Sequence, residues 1–447
     1  MGEVAIGALC LVASLVLIQT GMNIGVSLML LSFIGVWWIK DLVVAGKLLA
    51  SSVASSIASD AYAVIPLFVL MGLFVSATNM GRDTFDVAAV LLRRLRGGLG
   101  IATVAANAVF AACTGTTIAS ASVFTKVAVP EMVRHGYTGP FSVGVVAGSS
   151  VLGMLIPPSI LMIIFGVIAN VSIADLFTSG ILPGALLALA FCGTILLLSF
   201  FCPRFVADDP RALSGGYRGP LDDAPAHVLV IKFLPIVILV GTVLGGIYGG
   251  FFTPTEAGGA GALAAFLIAL ARRELTPRIF WEVALETGRV TAAICFLLMA
   301  AALYSQMLTL SGLPYAVGQW LQNSNLGFIP VLMGYLLVLV VLGCFLDSVS
   351  IMLIVLPFVI PVFDSLGVNL VWLGLISVIA IEIGLLTPPL GIAIFVVKAN
   401  LEDQRITTWD IFKGTTPMTL TMVLVLVLCV LFPQVALFLV GQRWSWW

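Results

Sequence analysis

The sequence predicts an all-α polytopic membrane protein built as an inverted repeat, with two re-entrant hairpins and two broken helices. Three observations lead there. Of the 447 residues, 61% are hydrophobic and only 9% charged, where an ordinary soluble domain has about a quarter charged. A short motif occurs twice inside apolar runs, as Gly153-Met154-Leu155-Ile156-Pro157-Pro158 and Gly384-Leu385-Leu386-Thr387-Pro388-Pro389, at an offset of 231 (384 − 153 = 231). Each copy follows an apolar stretch interrupted by small polar residues, Cys113–Thr117 and Gly343–Ser348.

At roughly 20 apolar residues per spanning helix the hydrophobic mass supplies some ten to twelve membrane segments, not all of which cross fully. Apolar spans fall near 4–19, 22–39, 61–79, 99–119, 141–170, 176–202, 228–251, 256–271, 288–310, 328–346, 349–363, 370–398 and 417–440. The opening segment has no basic region and runs into further apolar sequence, so it reads as a first transmembrane helix rather than a cleaved signal. One polar stretch, 203–227, carries Arg204, Asp208, Asp209, Arg211, Arg218, Asp222, Asp223 and four prolines, and is the natural linker between halves. The expected organisation is N-terminal scaffold helices (1–60), repeat one (61–202), a cytoplasmic linker (203–227), further scaffold helices (228–287) and repeat two (288–447).

Charge and cysteine content exclude several classes. With 20 Lys+Arg against 21 Asp+Glu, nothing marks a nucleic-acid partner. The seven cysteines are irregularly spaced in or beside apolar runs without a CxxC pair, so they read as small buried hydrophobes. A membrane-embedded enzyme would need a nucleophile and base at depth, yet the only histidines, His135 and His227, fall in polar loops.

The duplication extends beyond one motif. At the same offset Gly81 maps to Gly312, Val129 to Ile360 and Pro130 to Pro361, while Gly180 and Pro183 find Gly414 and Pro417 at an offset of 234. Charge then orients the copies, because basic residues favour the cytoplasmic side. Arg93, Arg94, Arg96, Lys126 and Arg134 of repeat one face Ser324, Asn325, Gly327, Pro357 and Ser365 of repeat two. The bias reverses later: 170–179 has no basic residue, whereas 399–413 has Arg405 and Lys413. Complementary bias at equivalent positions is what an inverted-topology repeat predicts.

The stretch from Gly100 to Arg134 has basic residues at both ends, so it is expected to enter and leave on one face as a hairpin with its tip at Thr114–Thr117. Gly343–Ser348 is its counterpart, with Asp347 opposite Thr116. Hydroxyl clusters also act as plain packing glue between helices, but an ionisable group amid apolar sequence points to function. In the doubled motif the prolines remove backbone donors and stop an α-helix from passing through. Unwound backbone at membrane depth is tolerated where it lines a cavity, and its carbonyls with threonine hydroxyls make hard oxygen cages suited to Na⁺. A sodium-coupled carrier of organic anions follows, with alternating access favoured over a continuous pore. Two residues keep open roles: Glu256 can cap its helix or touch a neighbouring element, and Glu382, one turn before the second break, can steady the unwound region or meet a partner helix.

At these residues the chain resembles the large membrane subunit of the TRAP (tripartite ATP-independent periplasmic) transporters. The resemblance spans nearly the whole length. It rests on the hydroxyl-rich tip before Val129-Pro130-Glu131-Met132, on Gly153 to Ser159, on Ser172-Ile173-Ala174-Asp175-Leu176-Phe177, and on Gly180-Ile181-Leu182-Pro183-Gly184. Phe252-Thr253-Pro254-Thr255-Glu256-Ala257, Phe345-Leu346-Asp347 and Ile383 to Pro389 complete it. It implies an elevator-type fold of the ion-transporter superfamily. It also implies a small four-helix membrane subunit and a periplasmic substrate-binding protein as separate chains, and a place in the bacterial inner membrane. The resemblance further implies two Na⁺ sites: Thr114 and Thr117 with carbonyls at Gly153, Ile156 and Pro157, and Gly343 with Gly384, Thr387 and Leu390. Thr116 and Asp347 are the expected substrate-proximal residues. The tip here is Cys-Thr-Gly-Thr-Thr where many relatives have Ser-Gly-Ser-Ser; threonine keeps the hydroxyl, and its methyl narrows the pocket. The same superfamily contains stand-alone divalent-anion:sodium symporters, which need no binding protein and are the alternative.

Overall fold

The computed structural model describes residues 2–209, 213, 225–324, 327–403, 405–442 and 444. Most of the 203–227 linker, including Arg211, Arg218, Asp222 and Asp223, lies outside the described residues, as does Asn325.

The helices begin where a side chain can satisfy the free amides of a first turn. Helices α1 (Glu3–Gln19), α2 (Ile24–Ile39) and α3 (Leu42–Ile57) come first; Asn23 caps α2 and Asp41 caps α3, accepting from the Val44 amide at 2.8 Å. A short 3-10 turn at Asp60–Ala63 leads into α4 (Val64–Ser76), followed by α5 (Met80–Leu92), α6 (Gly98–Thr114) and α7 (Thr117–Arg134). Then come α8 (Gly139–Ser150), the single turn α9 (Leu152–Leu155), α10 (Ile160–Ala169) and α11 (Ile173–Phe201). Beyond a short α12 (Pro203–Val206) stand α13 (Ala226–Tyr248), α14 (Pro254–Ala271) and the 35-residue α15 (Pro277–Ser311). The last set is α16 (Leu313–Asn323), α17 (Phe328–Gly343), α18 (Ser348–Ser365), α19 (Leu370–Leu385), α20 (Ile392–Asn400), α21 (Thr408–Leu431) and the short α22 (Gln434–Leu437). Glu256 forms a capping box at α14: its carboxylate accepts from the Thr253 amide and hydroxyl at 2.8 and 2.9 Å. Capping is therefore what this exposed carboxylate does in the fold.

Among the described residues, seven helical stretches are long and apolar enough to cross a membrane, or eight if the pair Leu42–Ile57 and Asp60–Ser76, bent by 52°, is one span. Five shorter apolar helices accompany them. Burial sorts the spans. The stretch Gly139–Ala169 is 83% buried and forms the centre, whereas Ala226–Tyr248 is only 17% buried and turns its apolar surface outward, as a lipid-facing helix must. Two spans differ from the sequence expectation. α3 appears where none was expected, because Lys47 and four serines lower the hydropathy; Ser51 and Ser55 hide their hydroxyls by donating to Leu48 and Ser52 carbonyls at 3.1 Å. α15 reaches back from 288 to Pro277 through Arg278, Glu282 and Glu286, and the run 370–398 divides into α19 and α20 at the expected second break.

The helix boundaries repeat. At the offset of the doubled motif, Thr117–Arg134 (α7) falls on Ser348–Ser365 (α18), and α8, α9 and α10 fall closely on α19 and α20. Packing follows the same relation crosswise: α7 lies against α20, and α18 against α10. Asn400 of α20 donates to Ser122 of α7 at 3.2 Å. The tightest crossing is that of α8 and α21, where Gly144 meets Gly414 backbone to backbone; a Cβ on Gly414 would overlap the Pro140 carbonyl.

A charged cluster joins α5 to α13 and α14. Asp83, with its side chain 7% exposed, accepts from Lys232 at 2.7 Å and from Arg272; Glu274 takes Arg272 at 3.1 Å and the Asn79 amide at 2.9 Å. Burial pushes the neighbouring Asp86 carboxyl up, with Lys232 and Arg82 opposing it.

Candidate functional site: two hairpin tips and two helix breaks

α6 ends at Thr114, and the chain turns through Gly115, whose φ of +62° is a left-handed conformation that glycine adopts without a Cβ clash. Thr116 then caps α7, its hydroxyl accepting from the Ala119 amide at 3.3 Å. The equivalent residue, Asp347, caps α18: its carboxylate accepts from the Ser350 amide at 3.1 Å and from the Ser350 hydroxyl. Thr116 and Asp347 thus hold the same station in the two copies. Part of what Asp347 does is local, since a carboxylate at a helix start is favoured by the free amides and the dipole.

The doubled motif breaks its helices as the prolines require. In the first copy α9 stops at Leu155 and α10 begins at Ile160; Ser159 caps α10 and donates back to the Met154 carbonyl at 2.5 Å. In the second, α19 stops at Leu385 and α20 begins at Ile392. The Pro157–Pro158 and Pro388–Pro389 bonds are both cis. Among the described residues no hydrogen bond reaches the carbonyls of Ile156, Pro157, Pro388 or Leu390.

Each break closes on a tip. The Ile160 amide donates to the Gly115 carbonyl at 3.3 Å, and the equivalent amide of the second copy, Gly391, donates to the Cys344 carbonyl at 3.3 Å. The motif glycines make this contact possible. A Cβ on Gly153 would sit 2.6 Å from the Thr116 carbonyl oxygen, and one on Gly384 would sit 2.6 Å from the Gly343 Cα.

Glu382 joins the two halves of the site. It is 1% exposed. Its Oε2 accepts from the Thr117 hydroxyl at 2.7 Å and its Oε1 from the Ser348 hydroxyl at 3.0 Å. Thr117 and Ser348 are the first residues of α7 and α18, so one carboxylate from α19 bridges equivalent positions of the two tips. Sequence reasoning marks Glu382 as a carboxylate at depth and misses both of its partners. The repeat offset holds the signal that could have found them, since it places Ser348 opposite Thr117.

Of the residues expected to hold cations, Thr114, Thr117 and Gly153 come together at the first tip, and Gly343 and Gly384 pack on each other at the second. Thr387 donates to the Ile383 carbonyl at 2.7 Å, which leaves its lone pairs available, while Thr114 donates to the Phe110 carbonyl at 3.2 Å and also meets the Ser120 hydroxyl at 3.4 Å. The donors at the breaks are carbonyl and hydroxyl oxygens. Among the described residues, no cluster of three His, Cys, Asp or Glu has metal-holding geometry. A hard cation bound by neutral oxygens fits this set.

Two cavities lie along α4, α10 and α15, and one of them reaches the tips. One, of about 800 Å³, is lined by Thr114, Thr116, Lys126, Ile160, Glu286 and Asp347. Both expected substrate-proximal residues therefore face one space. The other, of about 780 Å³, is lined by Asp60, Tyr62, Asn170, Ser172 and Gln306. The cavities share α4, α10 and α15 but occupy successive stretches of each: Ile160 against Gly166 to Asn170 along α10, and Glu286 to Leu297 against Leu298 to Gln306 along α15.

The family model "Tripartite ATP-independent periplasmic transporter, DctM component" matches residues 11–435. The chain belongs to this family. The TRAP large permease subunit is 34% identical, over 75% of its length and 76% of the relative's, to the C4-dicarboxylate TRAP transporter large permease protein DctM of Pseudomonas aeruginosa. It is 31% identical to the ectoine TRAP transporter large permease protein TeaC of Halomonas elongata, over 84% and 85% of the two chains. With the sialic acid TRAP transporter large permease protein SiaM of Vibrio cholerae it shares 30% identity over 84% and 85%. The relatives are named as transport permeases, not as enzymes. Among solved structures, the YdaH transporter of Alcanivorax borkumensis has a similar fold, with a TM-score of 0.59 at 14% identity over 90% of each chain. MtrF of Neisseria gonorrhoeae gives 0.52 at 9% identity over 88% of this chain and 83% of that one. At such identities the likeness concerns the fold alone.

Proposed function

We propose that this multi-pass subunit is the permease of a Na⁺-coupled secondary transporter that imports a small organic acid across the bacterial inner membrane. A periplasmic binding protein delivers the solute, and a small four-helix subunit completes the membrane complex. The carboxylate bridge from Glu382 to Thr117 and Ser348 carries this reading, because it makes one unit of two tips whose adjoining helix breaks leave carbonyls without partners. The named solutes of the relatives, C4-dicarboxylates, ectoine and sialic acid, all bear a carboxylate, and Lys126 places a cation in the cavity that Thr116 and Asp347 share. The chain's own residues bind and orient: threonine hydroxyls and broken-helix carbonyls hold the cation, and the packed glycines hold tip against break. Elevator-type movement of tips and breaks together past the remaining helices would exchange one cavity for the other; their successive positions along α4, α10 and α15 support it.

Reconstituted with its small subunit and given a solute-loaded binding protein, the permease is expected to take up solute only under an inward Na⁺ gradient. In Thr387→Val, uptake should fall at least tenfold. Uptake that persists without Na⁺ removes the coupling, and uptake that needs no binding protein favours the stand-alone symporter instead. The inverted relation has a separate test. Cysteines in place of Arg94 and Asn323 should react with impermeant thiol reagents from opposite sides of the membrane. Labelling from one side would exclude opposite topology.

A further inference from the structure

A buried carboxylate at membrane depth needs compensation, since neutral donors only partly replace water around its charge. Glu382 has two neutral donors, the hydroxyls of Thr117 and Ser348, and among the described residues no cationic side chain is bonded to it. The direction of those two bonds is informative. Each hydroxyl has one proton, and each spends it on Glu382. The lone pairs of Thr117 and Ser348 therefore point away from the carboxylate, free for a ligand that accepts oxygen lone pairs. Ligand-bearing groups are commonly oriented in this way by an outer carboxylate, which also raises their basicity.

We propose that Glu382 is the shared positioning residue of the two cation sites: it orients the Thr117 oxygen at the first tip and the Ser348 oxygen at the second, and its charge offsets bound cations at both. Ser348 thereby joins the second site as the counterpart of Thr117 in the other repeat. The inference rests on the sodium reading of the tips. It also explains why the residue is a carboxylate and not an amide. A glutamine of the same size accepts one hydroxyl through its oxygen, but its NH₂ must donate to the other, turning that hydroxyl's proton toward the cation.

The test is thermal unfolding of the purified permease with its small subunit, titrated with NaCl against choline chloride at constant ionic strength. Wild type should be stabilised by Na⁺. In Glu382→Gln the Na⁺ concentration giving half the stabilisation should rise about tenfold to a hundredfold, while the unfolding temperature in choline is unchanged or higher. Ser348→Ala, a smaller change that keeps the carboxylate, should raise the midpoint in the same direction. A purely structural role would lower the unfolding temperature in choline and leave both midpoints at the wild-type value; that result overturns the proposal. If wild type itself gains nothing from Na⁺ over choline, the sodium reading falls and this inference with it. A wild-type response that both variants share unchanged removes only the positioning role.

Discussion

Valine at Gly414 is expected to leave little folded protein in the membrane. Gly414 meets Gly144 where α8 and α21 cross, and a Cβ there would overlap the Pro140 carbonyl. The obstacle is backbone, which cannot rotate away as a flexible side chain can. Relief requires separating two helices in the densest packing of the molecule. Overpacking of ordinary side chains costs about 1–3 kcal/mol, and a backbone collision should exceed that, against a total stability of roughly 5–15 kcal/mol for a typical protein. Detergent extraction followed by size-exclusion chromatography would show a collapsed monodisperse peak for Gly414→Val. Gly193→Ala is the control, because a Cβ there meets nothing within 4 Å and should be tolerated. A normal peak and unchanged unfolding temperature for Gly414→Val would refute the close crossing.

The second large effect is on transport. Thr117→Val keeps the side-chain shape and removes the hydroxyl that donates to Glu382 at 2.7 Å. Losing a hydrogen bond to a buried charged group costs about 1.5–3 kcal/mol, and the same change takes an oxygen from the proposed first cation site. Na⁺-driven uptake is expected to fall by about a hundredfold, corresponding to about 2.8 kcal/mol at about 1.4 kcal/mol per factor of ten. Thr117→Ser should retain most of it, since the hydroxyl returns. Equal uptake by wild type and Thr117→Val would dissociate the tip hydroxyl from transport. A loss shared by the serine variant would point to the methyl instead.

Much of the site is legible in the amino-acid sequence. Glycine and proline act on their own backbone, so Gly153 to Pro158 and Gly384 to Pro389 announce helix breaks wherever they fold. Hydropathy is likewise a local sum, and it finds most spans. It misses α3 because hydroxyls read as polar even when Ser51 and Ser55 bond to their own helix. It runs α19 and α20 together because an apolar run shows no interruption where the backbone unwinds.

By itself, then, the sequence determined the membrane class, the two breaks, the hydroxyl tips and the duplication, all properties of residues near one another or repeated in register. Only the tertiary structure decided that α7 packs on α20 and α18 on α10, that both expected substrate residues face one cavity, and that Glu382 receives Thr117 from 265 positions away. The physical reason lies in the reach of each interaction. Dihedral preference and hydropathy act within a turn or a span, whereas the partner of a buried carboxylate is set by how distant helices pack, which no local pattern encodes.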